Sequence, residues 1–291
     1  MKNKIYEKIT NEIINNLSRG KVIWQQSWKM IFPMNAISKK SYNGFNCLWL
    51  GNQISEKKYK SPYWLTYRQA NQLGGHIRKG EKSSMITYWN IYQKKVNKKD
   101  CNGNVITKNG KPVKELKDKI VLKKYNVFNI DQVELEDKEK FYIKLDKSFD
   151  PILKCEELVK NYKDKPEIAE VISHRAYYSL NHKITIPLKN QFNSIEEYYQ
   201  VLFHEMIHST GLKLKRKIKN NFATESYSRE ELVAEIGSCF LCGIAGIEPN
   251  KNNSTGYING WISFLKDNPE EIIWASSQAQ KAVNHILGNT N

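Results

Sequence analysis

FHEMIHSTG, residues 203–211, sets two histidines four positions apart with a glutamate directly after the first. A helix is predicted over 195–210. S-I-E-E at 194–197 is a capping box in which Ser194 and Glu197 satisfy each other's free backbone donors, and Gly211 is a natural C-terminal stop. Four residues turn a helix by about 400°, so the imidazoles of His204 and His208 leave the same face one turn apart. Two imidazoles so placed suit a single zinc ion. Glu205, beside the first of them, reaches a zinc-bound water rather than the metal. Zinc lowers the pKa of that water toward neutrality, and the glutamate takes its proton as it attacks a carbonyl. This is the H-E-x-x-H logic of metallopeptidases. The competing account is an amphipathic helix with two ordinary histidines. The well-capped helix and an acidic helix downstream weigh against it.

Catalytic zinc needs a third protein ligand and an open fourth position. SREELVAEIGSCFLCGI, residues 228–244, reads as a helix that supplies it, with Glu231 and Glu235 four apart on one face. Glu231 is assigned as the ligand, and Glu235 as the carboxylate that orients a histidine through its other ring nitrogen; the reverse assignment stays open. Glu230 is read as part of an acidic helix N-terminus favoured by the macrodipole. Glu235 suits that account poorly, because it lies among Val233, Ala234, Ile236 and Gly237, where a carboxylate needs a partner. Cys239 and Cys242 form a lone C-x-x-C in an apolar run and are read as small hydrophobes. His76, His174, His182 and His285 have no metal-partner motif.

The chain around this motif has 291 residues, enough for one large domain or two ordinary ones. With 40% hydrophobic and 26% charged residues it is globular rather than disordered. No stretch approaches membrane-spanning length, so no membrane role is expected. Five scattered cysteines without a secretion signal imply reduced thiols and a cytoplasmic protein. Charge divides the chain: residues 1–145 hold 29 Lys and Arg against 12 Asp and Glu, a net of +17, whereas residues 146–291 come to −1. A split of this kind points to a polyanion partner for the first half, with solvated surface lysines as the plain alternative.

The expected fold is α+β in two domains: a basic, aromatic-rich single-stranded-DNA-binding domain over 1–140, and a mostly helical metallopeptidase domain over 146–291. In the first, Ile5, Ile9, Ile13 and Leu17 predict a helix over 5–18 that Gly20 stops. An aromatic, turn-rich stretch follows through Trp24, Trp28, Phe32, Tyr42, Phe45 and Trp49. A second helix is predicted over 66–73, with Thr66 as cap and Gly74 as stop. GGHIRKGEK (74–82) reads as a tight basic turn. Residues 84–93 and 120–130 read as strands, with 94–119 a long exposed loop between them. In the second half, helices are predicted over 152–163, 195–210, 228–245, 257–267 and 270–287. A strand is predicted over 182–188, where Pro187 suits an edge because it cannot donate to a ladder.

Tryptophans and tyrosines in the first half are interleaved with lysines, as in KSPYWLTYRQ and MITYWNIYQKK. Basic groups track a phosphate backbone while exposed rings stack on unpaired bases, the arrangement of single-strand binders. Many of these rings also belong to a core. The candidate contacts are Trp64, Tyr67, Arg68, His76, Arg78, Lys79 and Lys82, with single-stranded DNA as the expected partner and double-stranded DNA left open. The 74–82 turn lacks Walker spacing and is no nucleotide-binding loop.

The order of these motifs resembles the ArdC family of antirestriction proteins. The resemblance rests on PMNAISKKSYNGFN (33–46), YWLTYRQANQLGGHIRKGEK (63–82), the strand at 84–93, NHKITIP (181–187), FHEMIHSTG, YSREELVAEIGSCFL (227–241) and the closing helices within 256–287. It implies an N-terminal single-stranded-DNA-binding domain, a C-terminal zincin-like metallopeptidase domain with Zn2+ and an unidentified protein substrate, and a role in shielding DNA of a mobile element from restriction. The lysine-rich 94–119 segment and the C-x-x-C depart from the family pattern.

Overall fold

In the computed structural model, which describes residues 4–23, 32–143, 150–216, 225–249 and 255–289, Ile9, Ile13 and Leu17 form the buried stripe of helix α1 (Lys4–Ser18). Trp24 and Trp28 lie outside the described residues. The last part of the aromatic stretch departs from the sequence reading, since Phe45 and Trp49 lie on a helix, α2 (Gly44–Lys57). Phe45, Cys47, Leu48, Trp49 and Leu50 are all buried, so α2 has no polar face over its first turns to set up a 3.6-residue pattern.

A four-stranded sheet follows, in the order β1 (Met34–Asn35), β2 (Tyr63–Leu65), β7 (Lys114–Asn129), β4 (Ser84–Asn97). Strands β4 and β7 pair antiparallel from Ser84↔Val127 to Asn97↔Lys114. The strands therefore run well into the segment expected to be a loop. At the tip only a small hairpin remains, β5 (Thr107–Lys108) with β6 (Lys111–Pro112). Beyond residue 93 the strands face solvent on both sides, so their ladder bonds leave no alternating hydrophobic signature. Helix α3 (Tyr67–Gln72) carries the Thr66–Gln69 capping box. The basic 74–82 segment is partly strand: β3 (His76–Ile77) pairs with β8 (Val133–Glu134). Gly75 is required there, because a Cβ would stand 2.6 Å from the Glu134 carbonyl oxygen.

The second half contains α4 (Pro151–Asn161), β9 (Glu167–Val171), β10 (Tyr177–Ser179), β11 (Lys183–Pro187), α5 (Ile195–Ser209), α6 (Glu225–Ala245), α7 (Thr255–Asp267) and α8 (Glu271–Ile286). The three strands form a sheet in the order β10-β11-β9, so Pro187 sits on the central strand rather than an edge. It is tolerated because β10 pairs only as far as Thr185, and Pro187 has β9 alone beside it.

The fold is α+β in two parts, and the parts share a core. Helix α1 packs on α7 and α2 on α8, and the Gly44 amide donates to the Gln280 side chain at 3.2 Å. One hydrophobic cluster joins Leu48, Trp64 and Ile86 to Phe203, Leu232 and Ala279. A smaller one lies among Leu65, Ala70, Ile130, Val133 and Phe141. Of the expected boundary near 140–150, residues 144–149 lie outside the described residues. Among the described residues no helix is long and apolar enough to cross a membrane.

Candidate metal centre

The hydroxyl of Ser194 accepts from the Glu197 amide at 3.2 Å and starts α5, which packs against β10, β11 and α6. Phe203, Met206 and Ile207 are fully buried on the inner side. Helix α6 approaches closely because residue 237 is glycine: a Cβ there would meet the Ile207 side chain at 2.7 Å. The Ser238 hydroxyl donates to the Gln200 carbonyl at 2.8 Å and pins the same contact.

This close crossing brings His204, His208 and Glu231 together, one ligand atom from each lying within 4.8 Å of the others. The two Nε2 atoms are 3.1 Å apart. Glu231 Oε2 is 3.4 Å from His204 Nε2, and its Oε1 is 3.4 Å from His208 Nε2. Donors around one tetrahedral ion at about 2.0–2.1 Å stand about 3.3 Å from each other, so these three residues fit a metal ion. Glu235 lies on the other side of the His204 ring, with Oε1 3.6 Å from Nδ1. Glu205 is buried, and among the described residues no side chain or amide donates to its carboxylate.

Glu230 corrects the sequence reading. It is no solvated N-terminal acid but is buried, with Oε1 3.3 Å from His208 Nδ1. The Arg216 guanidinium grips it from two nitrogens, Nε to Oε2 and Nη2 to Oε1, both at 3.0 Å. Arg216 also donates to the Thr210 hydroxyl and to the Ile207 carbonyl, tying the end of α5 to α6. No spacing rule links Arg216 to Glu230; they meet only because α5 and α6 cross. Burial disfavours a charged His208, but Glu230 and then Glu231 outweigh it and raise its pKa to about 10. His204 is also raised, against burial, chiefly by Glu231. Glu231, despite burial, is held well below the usual carboxylate range by the two imidazoles, whereas burial keeps Glu235 above it. Cys239 and Cys242 are buried free thiols that burial pushes up, as packed hydrophobes should be.

The expected DNA contacts fare unevenly. Trp64 is fully buried beneath β2 and is not a stacking ring, because its indole belongs to the shared core. Tyr67, Arg68, Lys79 and Lys82 are exposed. Arg78 is engaged by Glu81 at 2.7 Å, and His76 by Glu134 at 2.9 Å. The sequence reading quoted the β4 stretch MITYWNIYQKK but named none of its tyrosines as a contact; Tyr88 and Tyr92, with Tyr125 of β7, emerge on the surface.

An H-E-x-x-H helix crossed by a glutamate-bearing helix, beside a short sheet, makes this a zincin-like protein with a basic α+β domain ahead of it. Residues 154–278 match the family model of a zincin-like metallopeptidase, which implies a metal ion, and residues 3–128 match that of the N-terminal domain of anti-restriction factor ArdC. The crystal structure of the antirestriction ArdC protein from plasmid R388, in its metal-free form, superposes with a TM-score of 0.75 at 32% identity, covering 99% of this chain and 98% of that one. Its Mn(II)-bound form gives 0.74 at the same identity, covering 98% and 97%. Two DNA primase TraC proteins of Escherichia coli are 29% and 30% identical over 98% and 99% of this chain, which spans only 20% and 27% of their length. The chain belongs to the ArdC family.

Proposed function

We propose that the chain is an antirestriction protein that binds single-stranded DNA through its basic half and carries a zinc-dependent peptidase site. The observation that carries this reading is the convergence of His204, His208 and Glu231, with Glu205 beside them, in a chain alike from end to end to the R388 ArdC protein. His204, His208 and Glu231 would hold the ion, and two imidazoles with a carboxylate are a donor set of catalytic zinc. When bound, the ion supplies a Lewis acid and an acidified water. Glu230 and Glu235 orient the two imidazoles from behind. Glu205 accepts the proton of the attacking water, a role its unengaged carboxylate suits. The excess charge of residues 1–145 draws in the DNA.

Glu205→Gln separates the parts of this reading, since it keeps the shape and removes the base. Cleavage of a protein substrate should stop, while zinc content and single-strand affinity match the wild type. Protection of DNA against a restriction enzyme should survive, because coating needs only binding. Loss of protection with affinity and zinc intact would make proteolysis the mechanism. A wild-type protein that binds no DNA would sink the antirestriction reading itself.

A further inference from the structure

The arm built from β4 and β7 has two unlike faces. Directly opposed residues of an antiparallel pair share a face. The register Ile86↔Tyr125, Tyr88↔Lys123, Tyr92↔Lys119 and Lys94↔Lys117 therefore sets three tyrosines and four lysines on one side. Trp89, Ile91, Leu116 and Asp118 fall on the other, with Lys95, Lys114 and Lys124, so that face is also basic but carries a single aromatic ring. Tyr88, Tyr92 and Tyr125 are 48%, 42% and 44% exposed, and the Tyr88 and Tyr125 rings meet edge to face at 5.8 Å. Only one carboxylate shares this face within the ladder, Glu115, and it is spent on Lys117 at 3.0 Å. Among the described residues, Lys94, Lys119 and Lys123 have no carboxylate partner.

Like charges set directly opposite each other destabilise a sheet, yet the arm keeps Lys94 against Lys117. It also leaves three amphipathic rings nearly half exposed to water. Both features are repaid by an outside polyanion with flat, unpaired bases. A duplex would supply the charge but hide the bases.

We propose that the tyrosine–lysine face of this arm is the surface on which single-stranded nucleic acid lies. Bases stack on Tyr88, Tyr92 and Tyr125, and Lys94, Lys119 and Lys123 follow the phosphates. Tyr88 and Tyr92 stand about 14 Å apart along the strand, with the lysines of β7 beside them. The proposal rests on the reading of the basic half as a nucleic-acid binder and assigns its surface to the arm rather than to the 74–82 turn, where Arg78 and His76 are engaged by carboxylates.

The test is fluorescence anisotropy of the full chain with a labelled oligothymidylate and with a duplex of equal length, each at several salt concentrations. Tyr88→Ala/Tyr92→Ala should weaken single-strand binding by about tenfold or more, with the salt slope unchanged and duplex binding little altered. Phe at both positions should restore it, because stacking needs the ring and not the hydroxyl. Lys94→Gln/Lys119→Gln/Lys123→Gln should flatten the slope of log K against log salt by about 2. Unchanged thermal melting and metal content would show that both variants fold. If the wild type binds the oligothymidylate and both sets of variants match it, the arm is not the surface, although the DNA-binding reading stands. A wild type that binds no single strand ends that reading and the arm proposal together. Capture of an acidic peptide by the arm in place of DNA would also overturn it.

Discussion

The metal centre and the β4–β7 arm handle charge in opposite ways. Where α5 crosses α6, Glu230, Glu231, Glu235, His204, His208 and Arg216 are packed into one site, and each lies within 3.6 Å of an oppositely charged or hydrogen-bonding group. Across 94–124, eleven lysines are exposed to water with three acidic residues among them. The difference follows from solvation. A buried charge must be paired, so geometry there is tight and each partner matters. An exposed lysine is screened and worth little by itself, so function there lies in a sum over one face.

Loss of the proposed ligands should have the largest effect. His204→Ala/His208→Ala should abolish metal binding, read as metal per chain by elemental analysis. Full occupancy in that variant would place the metal elsewhere. The next largest effect belongs to Glu230→Ala, which strands the Arg216 guanidinium, only 2% exposed, without its carboxylate. Urea denaturation should show a loss of about 3–5 kcal/mol. That loss has a pH signature. Burial opposes the charge on Glu230, but His208 and Arg216 still hold its pKa below the ordinary value. The pair's contribution is thus complete above the unfolded carboxylate pKa and disappears as pH falls through the depressed folded value. Wild type and variant should converge in acid; parallel curves would mean that packing, not charge, is what Glu230 supplies.

Gly237→Ala should cost about 1–3 kcal/mol, because the new methyl meets Ile207 at 2.7 Å and pushes the two helices apart. Since Ile207 adjoins His208, metal affinity should weaken as well. A variant as stable and as metal-loaded as the wild type would show that the crossing has slack. The smallest effect is expected on the arm. Glu115→Ala removes the partner of an exposed Lys117 and should change stability by less than about 1 kcal/mol in the same denaturation experiment. A larger loss would erase the contrast between the two regions.

The candidate site was largely legible as spacing. Two histidines and two glutamates, each pair four apart on a helix, restrict which side chains share a face before any fold is known. The arm was legible only in part. Its strands at 84–93 carried β-branched and aromatic residues, but the continuation to Asn97 and from Lys114 did not, because nothing there is buried. Helix α2 failed for the opposite reason: with Phe45, Leu48, Trp49 and Leu50 all enclosed, burial has no direction for a pattern to record.

From the sequence alone came the helices α5 and α6, the residue types and spacing of the metal centre, the α+β class and the division of charge between the halves. These depend on local periodicity and composition, which the chain carries wherever it folds. Only the tertiary structure decided that Trp64 is core while Tyr88, Tyr92 and Tyr125 are surface, that Glu230 is gripped by Arg216, and that α1 and α2 dock on α7 and α8. Those outcomes depend on which distant segments meet. An indole and a phenol are equally able to face water or a core, and a carboxylate equally able to be solvated or paired. The choice is made by the neighbours that the fold brings within a few ångströms.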